Sequence, residues 1–386
     1  MKKENYKEQL KDVLHQIKMN KGYITFNLFE QLKQISVHSG FFDRENRREI
    51  WKYLLQMTSK EKRSLIYKTS NKHKRNPPSH ITKDLQVILK DQNRCIFFQF
   101  NEKGIEVKPK YFVNQLSSFM EKRQNRFDYY QGYYDVAIYF GILFYKKDNR
   151  SSDNFQFQSL ELFTELYLMD YVSPFPVGVN VFQVIIQLLT EFIYLYDKKI
   201  GKYILSDEDT NNVFLFSHLS WIITYFTHNI NKYDVIGRIM DYLMFHSPFT
   251  VYALSAIVIC DHLQSIKHNL NLENIHYQMK ELDLNEYDFD STIMKCEKLI
   301  KRNKYKIKRI LKKYKEKGLE WVGDISLKGT KSIISLYENT EETKLSKFFR
   351  KKFFPIVLFS LIILIVSILL YFLFKRCNIT SIKHLL

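Results

Sequence analysis

From Phe353 to Phe374 the chain runs for 22 residues without a charge, FFPIVLFSLIILIVSILLYFLF, between Arg350-Lys351-Lys352 and Lys375-Arg376. At about 1.5 Å of rise per residue, a helix of this length spans the roughly 30 Å hydrocarbon layer. Nothing else in the sequence restricts folding as strongly, because backbone in lipid must satisfy its own N–H and C=O groups, and a single helix does so. A core helix seldom stays apolar on every face over such a length. The segment therefore reads as one transmembrane helix, 353–374. Twelve residues follow it, which makes a tail anchor the natural reading, with 1–352 cytosolic and 375–386 a short lumenal tail. The basic flank before the span agrees with positive-inside orientation, although Lys375, Arg376 and Lys383 weaken that signal. Asn378-Ile379-Thr380 matches a glycosylation sequon but lies so close to the membrane that it is expected to stay unused. The start, Met1-Lys-Lys-Glu-Asn-Tyr, lacks the apolar core of a signal peptide.

Ahead of the span the chain is rich enough in apolar residues (45% hydrophobic, 16% aromatic overall) for a sizeable core. Its 11 glycines and 7 prolines are too few for a turn-rich β sandwich. Period-two alternation is nowhere sustained, whereas helical spacing recurs. Residues 1–35 read as amphipathic helix, with Leu10, Val13, Leu14 and Ile17 on one side. Asp43 caps a helix carrying Ile50, Trp51, Leu54 and Leu55. Further helices are expected over Lys83–Phe100, Val113–Arg126, Tyr133–Tyr145, 156–171, 180–197, 212–228, 233–246 and 249–265. The last of these is almost wholly apolar and belongs at the centre of the core. The fold class is all-α.

The formal net charge of +18 raises nucleic acid or an anionic membrane as partners. No nucleic-acid motif accompanies the charge, so nucleic acid is not expected. The densest basic run is Lys298–Lys317, KLIKRNKYKIKRILKKYKEK. With Leu299, Ile307, Ile310, Leu311 and Tyr314 on one face, it fits either an amphipathic helix on anionic headgroups or a solvated helix in a linker. Cys95, Cys260, Cys296 and Cys377 form no CxxC pair, which disfavours a disulfide framework or zinc site and suits a reducing cytosol. Cys377 beside the membrane reads as a silent thiol rather than an acylated one. The 11 histidines show no ligand spacing, so no metal is implied.

Two short stretches carry chemistry. In Ile88-Leu89-Lys90-Asp91-Gln92-Asn93-Arg94, the acid and the arginine are i and i+3 on a helix, so Asp91 can fix the direction of Arg94. In Tyr129-Tyr130-Gln131-Gly132-Tyr133-Tyr134-Asp135, a glutamine precedes a glycine just before an apolar helix, so Gln131 would project from a rigid junction. Taken singly, each also fits ordinary structure: a surface ion pair, and a capping turn with aromatic packing.

Together and in this order, the two stretches resemble the arginine motif I-x-x-D-x-x-R and the glutamine motif Y-x-Q-G of the TBC-domain Rab GTPase-activating proteins. Arg47-Arg48-Glu49-Ile50-Trp51 is similar to that family's opening R-x-x-x-W. Ser220-Trp221-Ile222-Ile223-Thr224-Tyr225-Phe226 is similar to its W-x-x-x-x-F helix, and Arg238-Ile239-Met240-Asp241 to the helix after it. The resemblance covers about residues 30–265. It implies a TBC helical domain there, a helical extension over 1–29, and a basic helical linker over 266–352. YYQGYYD, SWIITYF and the span are closest to the branch anchored in the endoplasmic reticulum membrane that acts in early secretory traffic. Cys95 departs from the family, where Thr often follows the arginine, and is expected to tune helix packing only.

The resemblance implies a GTPase activator with no hydrolase activity of its own. Its partner is a Rab in the GTP-bound form, and GTP and Mg²⁺ are carried by that partner, with no cofactor held by this chain. In the family's scheme Arg94 stabilises charge developing on the phosphate and Gln131 orients the attacking water. Asp91 positions Arg94, while Arg47, Trp51, Tyr130, Gly132 and Asp135 support the fold or frame the site. The rival reading is a catalytically inactive scaffold that binds a Rab without activating it; such proteins commonly lose the arginine or the glutamine, and both are present here. No GxxxxGK[ST] loop occurs, Gly323 to Ser332 having the wrong spacing, and there is no GxSxG elbow. His218 and His228 read as packing residues in apolar helices.

Overall fold

In a computed structural model, the structure describes residues 2–22, 24–55, 81–95, 109–121, 128–144, 157–168, 171, 179–204, 218–266, 279, 281–317 and 319. No strand occurs among them. The helices are α1 (Lys2–Met19), α2 (Phe26–His38), α3 (44–55), α4 (Ile81–Arg94), α5 (Pro109–Glu121), α6 (Tyr133–Phe144) and α7 (Phe157–Phe163), whose last turn widens into a π turn at Thr164–Leu168. They continue as α8 (Val179–Tyr196), α9 (Lys198–Ile204), α10 (Leu219–Ile223), α11 (Tyr233–Leu243), α12 (Thr250–Ser265), α13 (Phe289–Arg302) and α14 (Lys304–Glu316). Among the described residues no helix is long and apolar enough to cross a membrane, and the 353–374 run lies outside them.

The core forms around α12, which packs on α8, α10 and α13. From Val251 to Cys260 every side chain of α12 is buried, including Tyr252, Leu254, Ile257 and Ile259. Burying each large one contributes about 1.5–3 kcal/mol. A second apolar helix, α6, contacts α4, α5 and α7 and buries all its residues except Ile142. Among the described residues, these two helices hold the interior because the sequence gives them no polar face to turn outward.

Several boundaries differ from those read in the sequence. The single helix expected over 1–35 is two, because the chain turns at Lys21 (φ 55°) and Gly22 (φ 85°). A β-carbon on Gly22 would stand 2.9 Å from Tyr53 Cε1, so only glycine fits there. Helix α4 stops at Arg94 instead of continuing toward Phe100, and the Cys95 N–H donates to Gln92 O at 3.2 Å. Asp43 caps α3 as expected, accepting from Asn46 N at 2.8 Å.

The long helix expected over 212–228 is the largest departure. Among the described residues, only Leu219–Ile223 are α-helical, and 224–229 form turns. Tyr225 (φ 52°) and Phe226 (φ 68°) are both left-handed. Such a conformation in a non-glycine residue costs on the order of 1–3 kcal/mol. Packing holds it in place. Phe226 N–H donates to Trp221 O at 3.0 Å, closing the helix end. Its ring stacks on Trp221 and meets Phe289 edge-on, while the Tyr225 hydroxyl donates to Tyr167 O at 3.2 Å.

The segment read as a basic linker is, over 289–316, part of this body. Helix α13 packs against α2, α11 and α12, and α14 lies on α8. Phe289, Ile293, Cys296 and Leu299 on α13, and Ile307, Leu311 and Tyr314 on α14, are buried. Glu297 accepts from Tyr242 Oη at 2.9 Å and pairs with His246 Nε2 at 2.9 Å. Burial pushes the Glu297 carboxyl up, but these partners outweigh it and hold its pKa at about 2.

Candidate functional site

Helix α4 delivers Asp91 and Arg94 on adjacent turns. Asp91 is 4% exposed, whereas the Arg94 side chain, at the last helical residue, is 51% exposed. Asp91 Oδ1 accepts from Arg94 Nη2 at 2.9 Å, and Arg94 Nε donates to Lys90 O at 3.3 Å. The other carboxylate oxygen reaches across to the 128–132 segment, where Oδ2 accepts from Tyr129 Oη at 2.6 Å and from Gly132 N at 2.9 Å. One buried carboxylate thus ties the end of α4 to the glutamine turn. Burial, then the carboxylate of Asp91, push the Tyr129 phenol well above its ordinary pKa, so it stays a donor.

The turn itself follows from sequence. Tyr133 N–H donates to Tyr130 O at 3.1 Å, which places Gln131 and Gly132 at its two corners. Gly132 has φ 96°, the conformation that the third residue of a type II turn needs. A β-carbon there would stand 2.8 Å from Thr224 Cγ2. Gln131 is left on the exposed corner. With its carboxamide oxygen toward the guanidinium, Gln131 accepts from Arg94 Nη1 at 2.7 Å and Nη2 at 3.0 Å; the opposite orientation would set donor against donor. Arg94 and Gln131 therefore meet on one exposed edge.

The 218–229 segment forms the floor of this edge. Tyr130 Oη donates to Ile223 O at 2.6 Å, and its ring packs edge-on to Tyr133 and Tyr171. Asp135, in the first turn of α6, contacts His228 Nδ1 through Oδ2 at 2.8 Å. The hydrogen bond to Asp135 raises the His228 pKa; burial opposes this, and the charge of Asp91 adds to it. His228 lies in a turn, not a helix, and its side chain is 40% exposed at the rim. Sequence periodicity predicts an apolar helix there, and a spacing of 93 positions from Asp135 gives no local signal. His218 is buried and meets Trp221 edge-on at 4.5 Å, in keeping with packing.

Arg47 and Trp51 are not at this edge. They converge on Asp241 of α11, whose Oδ1 accepts from Arg47 Nε at 2.9 Å and Trp51 Nε1 at 3.0 Å. Its Oδ2 accepts from Arg47 Nη2 at 3.1 Å and Phe41 N at 2.9 Å. Burial works against charge on Arg47, but Asp241 outweighs it and leaves the guanidinium more firmly protonated than usual. Gly237 makes room, since a β-carbon there would lie 2.3 Å from Arg47 Cζ. Cys95, directly after Arg94, is 2% exposed. No group of three or more His, Cys, Asp or Glu residues that could hold a metal occurs among the described residues.

The arrangement offers a visiting molecule a guanidinium anchored by Asp91 and a carboxamide on the turn whose Gly132 N–H the same carboxylate accepts from. Such a pair can neutralise charge on oxygen and at the same time accept from and donate to water. No individual curated protein matches the chain. The Rab-GTPase-TBC domain family model matches residues 44–267, more than half of the 386, and takes in Arg47, Trp51, both sides of the exposed edge, and Asp241. On that match, and with an all-helical body around it, the chain belongs to the Rab-GTPase-TBC domain family, whose partners are Rab GTPases and whose general function is to activate their GTP hydrolysis.

Proposed function

We propose that this chain activates a Rab through Arg94 and Gln131 supplied in trans, on the GTP-bound form of the partner. The observation that carries the reading is the contact of these two side chains on an exposed edge, where the same buried Asp91 binds the Arg94 guanidinium and the backbone N–H of Gly132, next to Gln131. GTP hydrolysis on a Rab is slow because charge gathers on the phosphate oxygens and the attacking water is poorly held. When the Rab docks, Arg94 exchanges the Gln131 oxygen for phosphate oxygens. Its bond to Asp91 can persist, since a guanidinium has five donors. A trans arginine of this kind contributes about 10³–10⁵ in rate, or roughly 4–7 kcal/mol. The freed Gln131 carboxamide accepts from the attacking water and donates to a phosphate oxygen. GTP and Mg²⁺ arrive on the Rab.

The uncharged run 353–374 supports anchoring in an endomembrane, and the likeness of YYQGYYD and SWIITYF to the endoplasmic reticulum branch favours early secretory traffic. The test is single-turnover GTP hydrolysis by a panel of Rabs with the full chain in detergent. On the responsive Rab, Arg94→Ala and Gln131→Ala should each lower the stimulated rate by at least about 10²-fold. Wild-type rates in both variants would remove the assigned roles. A Rab that binds with no acceleration by the wild-type chain would favour the inactive scaffold.

A further inference from the structure

Helix α14 is built against its own local electrostatics. Its first turn carries Lys304 and Lys306 and no acid, the wrong sign for the positive end of a helix dipole. Lys304, Lys308 and Lys312 follow one another at i,i+4, the spacing at which like charges repel. From Lys298 to Glu316 the only acidic residue is Glu316 itself. Helix α1 is the contrast within the same chain: it also has an exposed polar face, but Glu4, Glu8 and Asp12 alternate there with Lys7 and Lys11. A face that only had to meet water would look like α1. The repulsion in α14 is held in place by packing, through the buried Ile307, Leu311 and Tyr314 and the reach of Lys313 to Glu191 at 2.8 Å.

That packing also decides what the face can do. Because the apolar side of α14 is used inside the domain, the helix cannot lay it into a bilayer. What it presents outward is Tyr305, 88% exposed, among Lys301, Lys308, Arg309 and Lys312. We propose that this outward face of α13 and α14 docks the helical domain on the anionic phospholipid headgroups of a bilayer, by charge and without insertion. The single sign fits a surface of fixed negative charge, and one amphipathic aromatic among cations suits the headgroup layer. The uncharged run 353–374 of the same chain supplies the bilayer; in that respect the proposal rests on the anchoring reading above.

The test reconstitutes the full chain into neutral phosphatidylcholine liposomes and into liposomes with about 30% phosphatidylserine, then measures amine labelling at each lysine at low and at about 0.5 M salt. Flotation with the neutral liposomes reads the anchor by itself and fails if 353–374 does not insert. Among chains that float, labelling of Lys301, Lys308 and Lys312 should fall several-fold in the anionic liposomes and recover in salt, while Lys7 and Lys11 stay unchanged. Each basic side chain held near an anionic surface shifts the docking equilibrium about fivefold, so Arg309→Gln with Lys312→Gln should weaken docking about 25-fold. The pair should leave Rab stimulation in detergent unaltered. Equal labelling in both liposomes overturns the proposal, as does protection that appears only when RNA or an acidic protein is added.

Discussion

Two carboxylates in this protein are surrounded by nearly the same set of partners, yet one holds a buried arginine and the other an exposed one. Asp241 gathers an arginine, an aromatic N–H and a backbone N–H, with glycine making room beside the guanidinium. Asp91 gathers an arginine, an aromatic O–H and the backbone N–H of a glycine. The difference lies in how the arginine is held. Arg47 is gripped through Nε and Nη2 and its side chain is 2% exposed. Arg94 gives Asp91 only Nη2, stands at a helix end, and is 51% exposed. A guanidinium held from two sides in the core fastens α3 to α11. One held at a helix terminus and half exposed stays within reach of a partner, which is the role proposed above for Arg94. On the proposed reading, an Asp–Arg pair is a fold clamp or a tool according to the exposure of the cation, not the identity of the anion.

The same substitution at both places tests this directly. Arg94→Met should lower the GTP hydrolysis that the chain stimulates on the Rab by at least about 10²-fold, with the melting temperature of the full chain moved far less than by Arg47→Met, because Arg94 is 51% exposed and water can take its place beside Asp91. Arg47→Met should do the reverse. Stranding Asp241 in the core costs about 3–5 kcal/mol of stability, and activity should fall only with the folded fraction, as thermal unfolding and rate assays on one preparation would reveal. If Arg94→Met destabilised as much as Arg47→Met, both arginines would be fold clamps.

The glutamine turn sharpens the comparison at a smaller scale. Gly132→Ala forces a side chain into φ 96° and against Thr224 Cγ2, which should cost about 1–3 kcal/mol and reduce the stimulated rate. Adding Thr224→Ser removes the clashing methyl and should recover part of the loss, the φ strain remaining. No recovery in the double variant would mean that the methyl contact is not what excludes alanine.

The smallest effect is a pH dependence. His228 has a folded pKa raised chiefly by its hydrogen bond to Asp135. Its stabilising contribution is therefore fully present below the unfolded value of about 6.5 and disappears as pH rises through the folded one. The side chain is 40% exposed, so screening by solvent keeps the effect small. The melting-temperature gap between wild type and His228→Asn should be widest near pH 5 and close toward pH 8, to within about a degree; a gap that widens with pH would reverse the assignment.

Much of this was legible in the chain itself. The near-uniform apolarity of 249–265 announced the central helix, and Thr250–Ser265 is that helix, because a segment with no polar face has nowhere else to go. The i,i+3 spacing of Asp91 and Arg94 put the pair on one side of α4, which is a property of helix geometry alone. Sequence was less informative where the backbone breaks. Tyr225 and Phe226 have good helical periodicity, but the contacts of Trp221, Tyr167 and Phe289 turn them left-handed, and local preference was overridden. The apolar face of 298–317 was visible, but not the domain surface that takes it up.

By itself the sequence determined the all-helical class, the central apolar helix and the placing of Asp91 and Arg94 on one side of a helix, since these depend on neighbours within one or two turns. Only the tertiary structure decided that Asp91 binds Gly132 and Asp241 binds Arg47, and that Arg94 meets Gln131 in the open while Arg47 is enclosed. Those pairings join positions from 37 to 194 residues apart, and no local preference can select a partner at that distance. It is chosen by which helices the core brings together.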